Sequence, residues 1–244
     1  MKNQNTQITG RICQLGLAAL LTTGLTVQAQ TPLYTGHADV GLAYDVDANE
    51  WELHVHDGES DVEYFPATDA RLMVRHQAHT TVPAGAQWSF LGAPGSSTWI
   101  LPATEDEDLL FLGIGTEEID PGTFTGNSLS LALKAVSGPG NFALYDTDSF
   151  GDPLLRWNSA DGFSGADVLT LSTGGHAHFN WAFSAPGDYT ITLEAFGESA
   201  LHGFTSSGDV SYLFRVEAVP EPTMGALLGL GGMMGWWASR RKKK

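Results

Sequence analysis

Three short stretches of this 244-residue chain pair potential metal ligands at a spacing of two: His37 with Asp39, His54 with His56, and His176 with His178. In an extended strand, residues i and i+2 point to the same face, so the members of each pair would stand side by side. Neutral imidazole binds borderline divalent ions well, and zinc takes three or four N, S or O donors in tetrahedral array. No single pair supplies that number. The chemistry therefore requires at least two of these strands to be neighbours with their polar faces on one side. Zinc is the cofactor such a donor set would take. The simpler alternative is a row of polar residues on a solvated sheet face, with Asn180 as company. The other histidines carry no such pattern. His76 is in phase with apolar Leu72 and Val74, as a core-edge histidine would be, and His79 and His202 fall in loop-like sequence.

Other chemistries find less support. Asp45, Asp47 and Asn49 have D-x-D-x-N spacing, but the glycine and distal glutamate of a calcium loop are missing. Asp146, Asp148 and Asp152 form a second, looser acidic loop. There is no G-x-S-x-G elbow, no P-loop and no dinucleotide fingerprint, and the carboxylates offer no identifiable acid/base pair, so no catalysis is expected. A carbohydrate-binding surface module associated with exopolysaccharide is the alternative reading. It would need exposed aromatic side chains, for which Trp88, Trp99 and Trp157 are the candidates in loop-like positions.

The elements that must hold these residues are strands. Around residues 174–196 the sequence reads GGHAHFNWAFSAPGDYTITLEAF. Ala177, Phe179, Trp181 and Phe183 fall on one face, with His176, His178 and Asn180 on the other. Pro186-Gly187-Asp188 then supplies turn residues, and Tyr189, Ile191, Leu193 and Ala195 alternate with Thr190, Thr192 and Glu194. The pattern predicts a β-hairpin with one dry face and one histidine-bearing face. Trp51, Leu53 and Val55 likewise alternate with Glu52, His54 and His56, and Val40, Leu42 and Tyr44 lie opposite His37 and Asp39. Residues 109–114 are nearly continuous apolar sequence and suit a buried strand, residues 87–91 suit a short one, and no helix is expected over 31–219. Many short strands joined by turns argue for an all-β, antiparallel β-sandwich over residues 30–218.

The stretch HAHFNWAFSAPGDYTITL resembles the closing motif of the bacterial choice-of-anchor M surface domains. The same family pattern recurs upstream as Gly36-His37-Ala38-Asp39-Val40, as Trp99-Ile100-Leu101-Pro102, and as Val136-Ser137-Gly138-Pro139-Gly140. The resemblance implies a surface domain joined to one of several C-terminal anchors. Actinobacterial relatives are associated with zinc- or manganese-type transport operons, which agrees with the histidine chemistry.

Charge bounds the partners. The formal net charge is −16, and between residues 30 and 219 five Lys+Arg face 27 Asp+Glu, a net of −22. Nucleic acid and anionic membrane both require basic contacts, so neither is expected as a partner of this domain; the acidic surface serves solubility first, with attraction of cations as the second reading. The single cysteine, Cys13, lies in the leader, which leaves the mature domain without thiols or disulfides.

Both termini read as export signals. Residues 1–29 have a basic start (Lys2, Arg11), an apolar stretch over 12–27 and Val27-Gln28-Ala29 before a cleavage point at Gln30, as a signal peptide does. Over residues 219–244, Pro220-Glu221-Pro222 precedes an apolar run over 223–238, expected to form a single hydrophobic helix. The basic end Arg240-Arg241-Lys242-Lys243-Lys244 follows. At 16 residues the run is a little short of the ~20 that span a bilayer, and the basic end fits the positive-inside rule. Motif, helix and basic end together resemble the PEP-CTERM sorting signal of Gram-negative bacteria. That likeness implies transient residence in the inner membrane, processing by an exosortase (a transpeptidase-like membrane enzyme) and delivery to the envelope surface or matrix. Proteins so tagged usually accompany exopolysaccharide production. The expected partners are therefore the export machinery, the exosortase and exopolysaccharide.

Overall fold

The computed structural model describes residues 29–221, and these form three β-sheets. The seven-stranded sheet runs in the order β1 (Thr31–Leu33), β5 (Ala70–Val74), β17 (Val210–Val216), β15 (Gly187–Ser199), β9 (Ser128–Ser137), β12 (Val168–Ser172), with β16 (Gly203–Ser206) on the far half of β15. A five-stranded sheet runs β11 (Pro153–Asn158), β10 (Phe142–Thr147), β14 (Asn180–Phe183), β7 (Ser97–Leu101), β6 (His79–Thr81). The other five-stranded sheet, which carries the histidines, runs β13 (His176–His178), β8 (Leu110–Gly115), β2 (Gly36–Asp45), β3 (Glu50–Asp57), β4 (Val62–Tyr64).

Period-two burial builds the elements. In β15, Tyr189, Ile191, Leu193 and Ala195 are all buried, whereas Thr190, Thr192 and Glu194 between them are half-buried. In β2, Ala38, Val40 and Leu42 point into the core. Inward faces of all three sheets meet in one apolar cluster that includes Val40, Leu112, Trp157, Trp181, Phe183, Ile191 and Phe214. Each fully buried side chain of this size contributes about 1.5–3 kcal/mol, so the core carries the fold without a disulfide. Trp181 is a keystone within it. Its ring lies 5.8 Å from those of Phe142 and Phe214, and its Nε1 donates to the Leu112 carbonyl at 3.1 Å, joining β14 to β8 of the neighbouring sheet.

Several expectations need correction. Two of the three sheets are mixed, because β1 with β5, β5 with β17, and β2 with β8 pair parallel, whereas the sheet of β11, β10, β14, β7 and β6 is antiparallel throughout. A parallel pair needs a long crossover connection, and here the chain supplies it by visiting another sheet in between. The hairpin does not form. β13 pairs β8, β14 pairs β10 and β7, and β15 pairs β9, β16 and β17, so residues 174–196 pass through all three sheets. The turn, with Gly187 at φ +139°, arches the chain over the core. The apolar faces of β14 and β15 therefore pack against each other, with Phe183 and Tyr189 5.0 Å apart edge to face. Two apolar strands around a turn fit an arch as well as a hairpin, since alternation fixes a face and not a partner. Residues 86–91 form a 3-10 turn in place of the expected strand.

Among the described residues no helix is long and apolar enough to cross a membrane. The expected signal peptide (all but Ala29), Pro222, the apolar run over 223–238 and the basic end with Arg240 and Arg241 lie outside the described residues.

Trp181→Ala is expected to lower unfolding free energy by about 3–5 kcal/mol, the range for truncating a buried aromatic. Urea unfolding of the mature domain measures it; a loss below about 1 kcal/mol would mean that the sheets do not depend on this contact.

Candidate metal centre

The strand register creates the site. Directly opposed residues on neighbouring strands point to the same side of a sheet. Reading across the histidine-bearing sheet, His178 opposes Gly113, Gly113 opposes Asp39, Asp39 opposes His56, and His56 opposes Glu63. The next row runs His176, Gly115, Gly41, His54. One face of one sheet thus collects His37, Asp39, His54, His56, His176 and His178.

Strands β13 and β2 are separated by β8, so their axes stand roughly 9–10 Å apart. Side chains on β8 would ordinarily keep their ligands from meeting. Here the facing residues of β8 are Gly113 and Gly115, and the rings lie down across the gap. A Cβ at Gly113 would stand 2.7 Å from His176 Nε2 and 3.0 Å from His178 Cε1, and would collide with the Asp39 carboxylate. A Cβ at Gly41 would run into the His54 ring.

Across this gap His37, His176 and His178 bring one ring nitrogen each to within 4.8 Å of one another. Asp39 joins them: one carboxylate oxygen is 2.8 Å from His176 Nε2 and the other 3.4 Å from His37 Nε2. Tetrahedral zinc with ligands at 2.0–2.1 Å needs donor atoms about 3.3 Å apart, a spacing that the two Asp39 oxygens, 2.8 and 3.4 Å from their imidazole nitrogens, approach. The rings are held from behind. His178 stacks on Phe111 with centroids 3.7 Å apart and planes 3° from parallel, and the His37 and His178 centroids are 5.2 Å apart.

The electrostatics favour a cation. Burial, and then the neighbouring His176, hold His178 below the ordinary imidazole pKa, so its lone pair stays free near neutral pH. Asp39 is 4% exposed, a costly place for a carboxylate without a compensating positive charge. Among the buried ring nitrogens on this face, His178 Nδ1 and His54 Nδ1 have no hydrogen-bond partner, and His37 Nε2 and His54 Nε2 face carboxylate oxygens at 3.4 and 3.1 Å without the alignment of a hydrogen bond. An unpartnered buried polar atom costs on the order of 1–3 kcal/mol, and coordination would remove that cost.

The six sequence-predicted ligands therefore share a face but not one point. His37, His176 and His178 form one donor group, and Asp39 forms a second with Glu117 and the same His176, so that His176 joins the two. His54 is grouped instead with Glu63 and Glu118, and His56 Nε2 is 3.3 Å from Asp61 Oδ1 at the sheet margin. The simpler alternative of a solvated polar face does not describe Asp39 and His54, which are 4% and 2% exposed: missing side chains at the glycines let both sink towards the backbone. Glu63, Glu117 and Glu118 and the glycines are the residues that sequence reasoning missed. The alternation Gly113, Gly115 inside an apolar strand was the available signal, because glycine in a strand often marks a close approach.

Competing sites lose ground on geometry. Trp157 and Trp99 are buried in the core, and Trp88 packs on Phe90 and Tyr145, so the three form no exposed row for a sugar. In the two acidic loops the carboxylates are engaged by the backbone. Asp45 Oδ1 accepts from the amides of Asp47 and Ala48, and Asp148 Oδ1 from those of Phe150 and Asp152.

Comparison with known proteins identifies one segment. Residues 218–242 match the PEP-CTERM protein-sorting motif. The match covers Pro220, Glu221, Pro222, Arg240 and Arg241, and it marks an exported, envelope-associated protein of the Gram-negative type that is handled by an exosortase. No curated protein matches the chain.

Gly113→Ala should weaken zinc binding by about 10–100-fold, the scale seen when groups that orient ligands are disturbed. Titration calorimetry of the folded variant, checked by circular dichroism, reads it. Unchanged affinity would show that the ligands do not meet across β8.

Proposed function

We propose that the mature domain is a non-catalytic surface protein that holds a divalent transition ion, zinc first, through His37, His176, His178 and Asp39. The observation that supports it is the convergence of three imidazoles from β2 and β13 across a strand cleared by glycine. Three nitrogens and one carboxylate oxygen make a borderline donor set that suits zinc. Catalytic zinc sites keep a coordination position open for water, whereas Asp39 stands ready to fill the fourth position here. That arrangement favours binding over hydrolysis. The likeness to choice-of-anchor M domains supports the same reading of a surface module. The sorting motif supports delivery by an exosortase to the cell surface or the extracellular matrix, in the company of exopolysaccharide. The carbohydrate-binding alternative lacks its tryptophans.

Zinc titration of the purified mature domain should give binding that a His176→Ala/His178→Ala variant loses by at least about 100-fold, as expected when two of four ligands go. Binding should also fade as pH falls through the imidazole range, because protons compete for the same lone pairs. Equal heats from both proteins would refute the site.

For the sorting signal, Glu221→Ala should leave unprocessed precursor in the inner membrane fraction, since a processing enzyme reads the motif whereas a passive anchor needs only the apolar run and its flanking charge. Normal processing of that variant, followed by immunoblot, would indicate a plain membrane tail.

A further inference from the structure

We infer a second cation site on the same sheet face, formed by His54, Glu63 and Glu118, distinct from the three-histidine centre and taking a first-row divalent ion. One donor atom from each of these residues lies within 4.8 Å of the other two. They come from three separate elements: His54 from β3, Glu63 from β4, and Glu118 from the loop that follows β8. His54 Nε2 stands 3.1 Å from Glu118 Oε1.

The acidic pair alone would not make a site, since surface carboxylates gather readily in a chain this acidic. The independent observation is His54. It is 2% exposed, Nδ1 has no hydrogen-bond partner, Nε2 faces Glu118 Oε1 without the alignment of a hydrogen bond, and the ring lies over Gly41, where any Cβ would displace it. A buried imidazole is usually held by a hydrogen bond at one nitrogen at least. This one borders an open cavity of about 260 Å³ that Glu63, Glu117 and Glu118 also line. The chain has thus cleared space at Gly41, buried a ligand there and faced it with two carboxylates. A cation satisfies all three at once: it accepts the lone pair of one ring nitrogen and neutralises the carboxylates.

The donor set differs from that of the first centre. One imidazole and two carboxylates are harder than three imidazoles and one carboxylate, and the open cavity leaves room for water in the remaining positions. Such a site accepts manganese as well as zinc, where the histidine-rich centre prefers zinc.

Zinc stoichiometry of three forms of the mature domain tests this, by calorimetry and by elemental analysis after equilibrium dialysis. Glu63 and Glu118 are exposed, so Glu63→Gln/Glu118→Gln keeps the shape and leaves the fold intact. The expected result is two ions in the wild type, one in Glu63→Gln/Glu118→Gln, and one in His176→Ala/His178→Ala. Manganese should bind to the last of these and not to the glutamine variant. Equal stoichiometry and affinities in the wild type and the glutamine variant would overturn the second site. A single wild-type ion lost only on histidine substitution would also overturn it and leave the first centre standing. A single ion lost only in the glutamine variant would refute the first centre and support this one.

Discussion

The histidine-bearing sheet depends on atoms that are missing. Gly41, Gly113 and Gly115 remove three Cβ atoms from the middle of one sheet face, on β2 and β8. A side chain at Gly113 would part His176 and His178 from Asp39, and one at Gly41 would displace the His54 ring. Glycine weakens a strand by leaving nothing to pack, by roughly 0.5–1 kcal/mol relative to alanine. That cost is accepted three times within a small area, and the inner face of the same strands compensates. Leu112 and Ile114 on β8, and Val40 and Leu42 on β2, are at most 1% exposed. The sheet is therefore apolar and tightly packed behind, thin and polar in front.

This division explains how buried polar groups are tolerated. Asp39 and His54 sit among the most buried polar residues of the described chain, yet neither is in the core. They are sunk into the front of the sheet, close to backbone that has no side chain to cover it. Asp39 is partly compensated by His176 and His37, and His54 by Glu118. The surrounding excess of carboxylates raises the local cation concentration over a range set by the Debye length, about 8 Å at physiological salt. Ions would thus be drawn to the face by the general charge and held there by the specific geometry.

The strands were largely legible in the sequence, and their partners were not. Alternation correctly gave β2, β3 and β15 their buried faces, because period two is a local property. Pairing is a global one. Nothing in residues 174–196 distinguishes a hairpin from an arch, since both bury Trp181, Phe183, Tyr189 and Ile191. The site was legible by half for the same reason. The phase of His37, Asp39, His176 and His178 could be read, and the need for two neighbouring strands could be stated. That β8 would stand between them, with glycines facing the ligands, follows only from the register. Glu63 and Glu118 carried no pattern, because one lies on a three-residue edge strand and the other in a loop.

The sorting segment begins where the sheet ends, and this separates it physically from the histidine-bearing face. β17 closes at Val216, and Glu217 is still tied down: its amide donates to the Val74 carbonyl at 2.8 Å, and its carboxylate accepts from the His76 amide at 3.1 Å. From Ala218 to Glu221 the chain is exposed. Pro220 and Glu221 are therefore open to a processing enzyme without unfolding any strand. The connection also leaves from the seven-stranded sheet, whereas the ligands are mounted on β13, β2 and β3 of another. Holding the domain by its C-terminal end thus applies no direct load to the strands that carry the ligands.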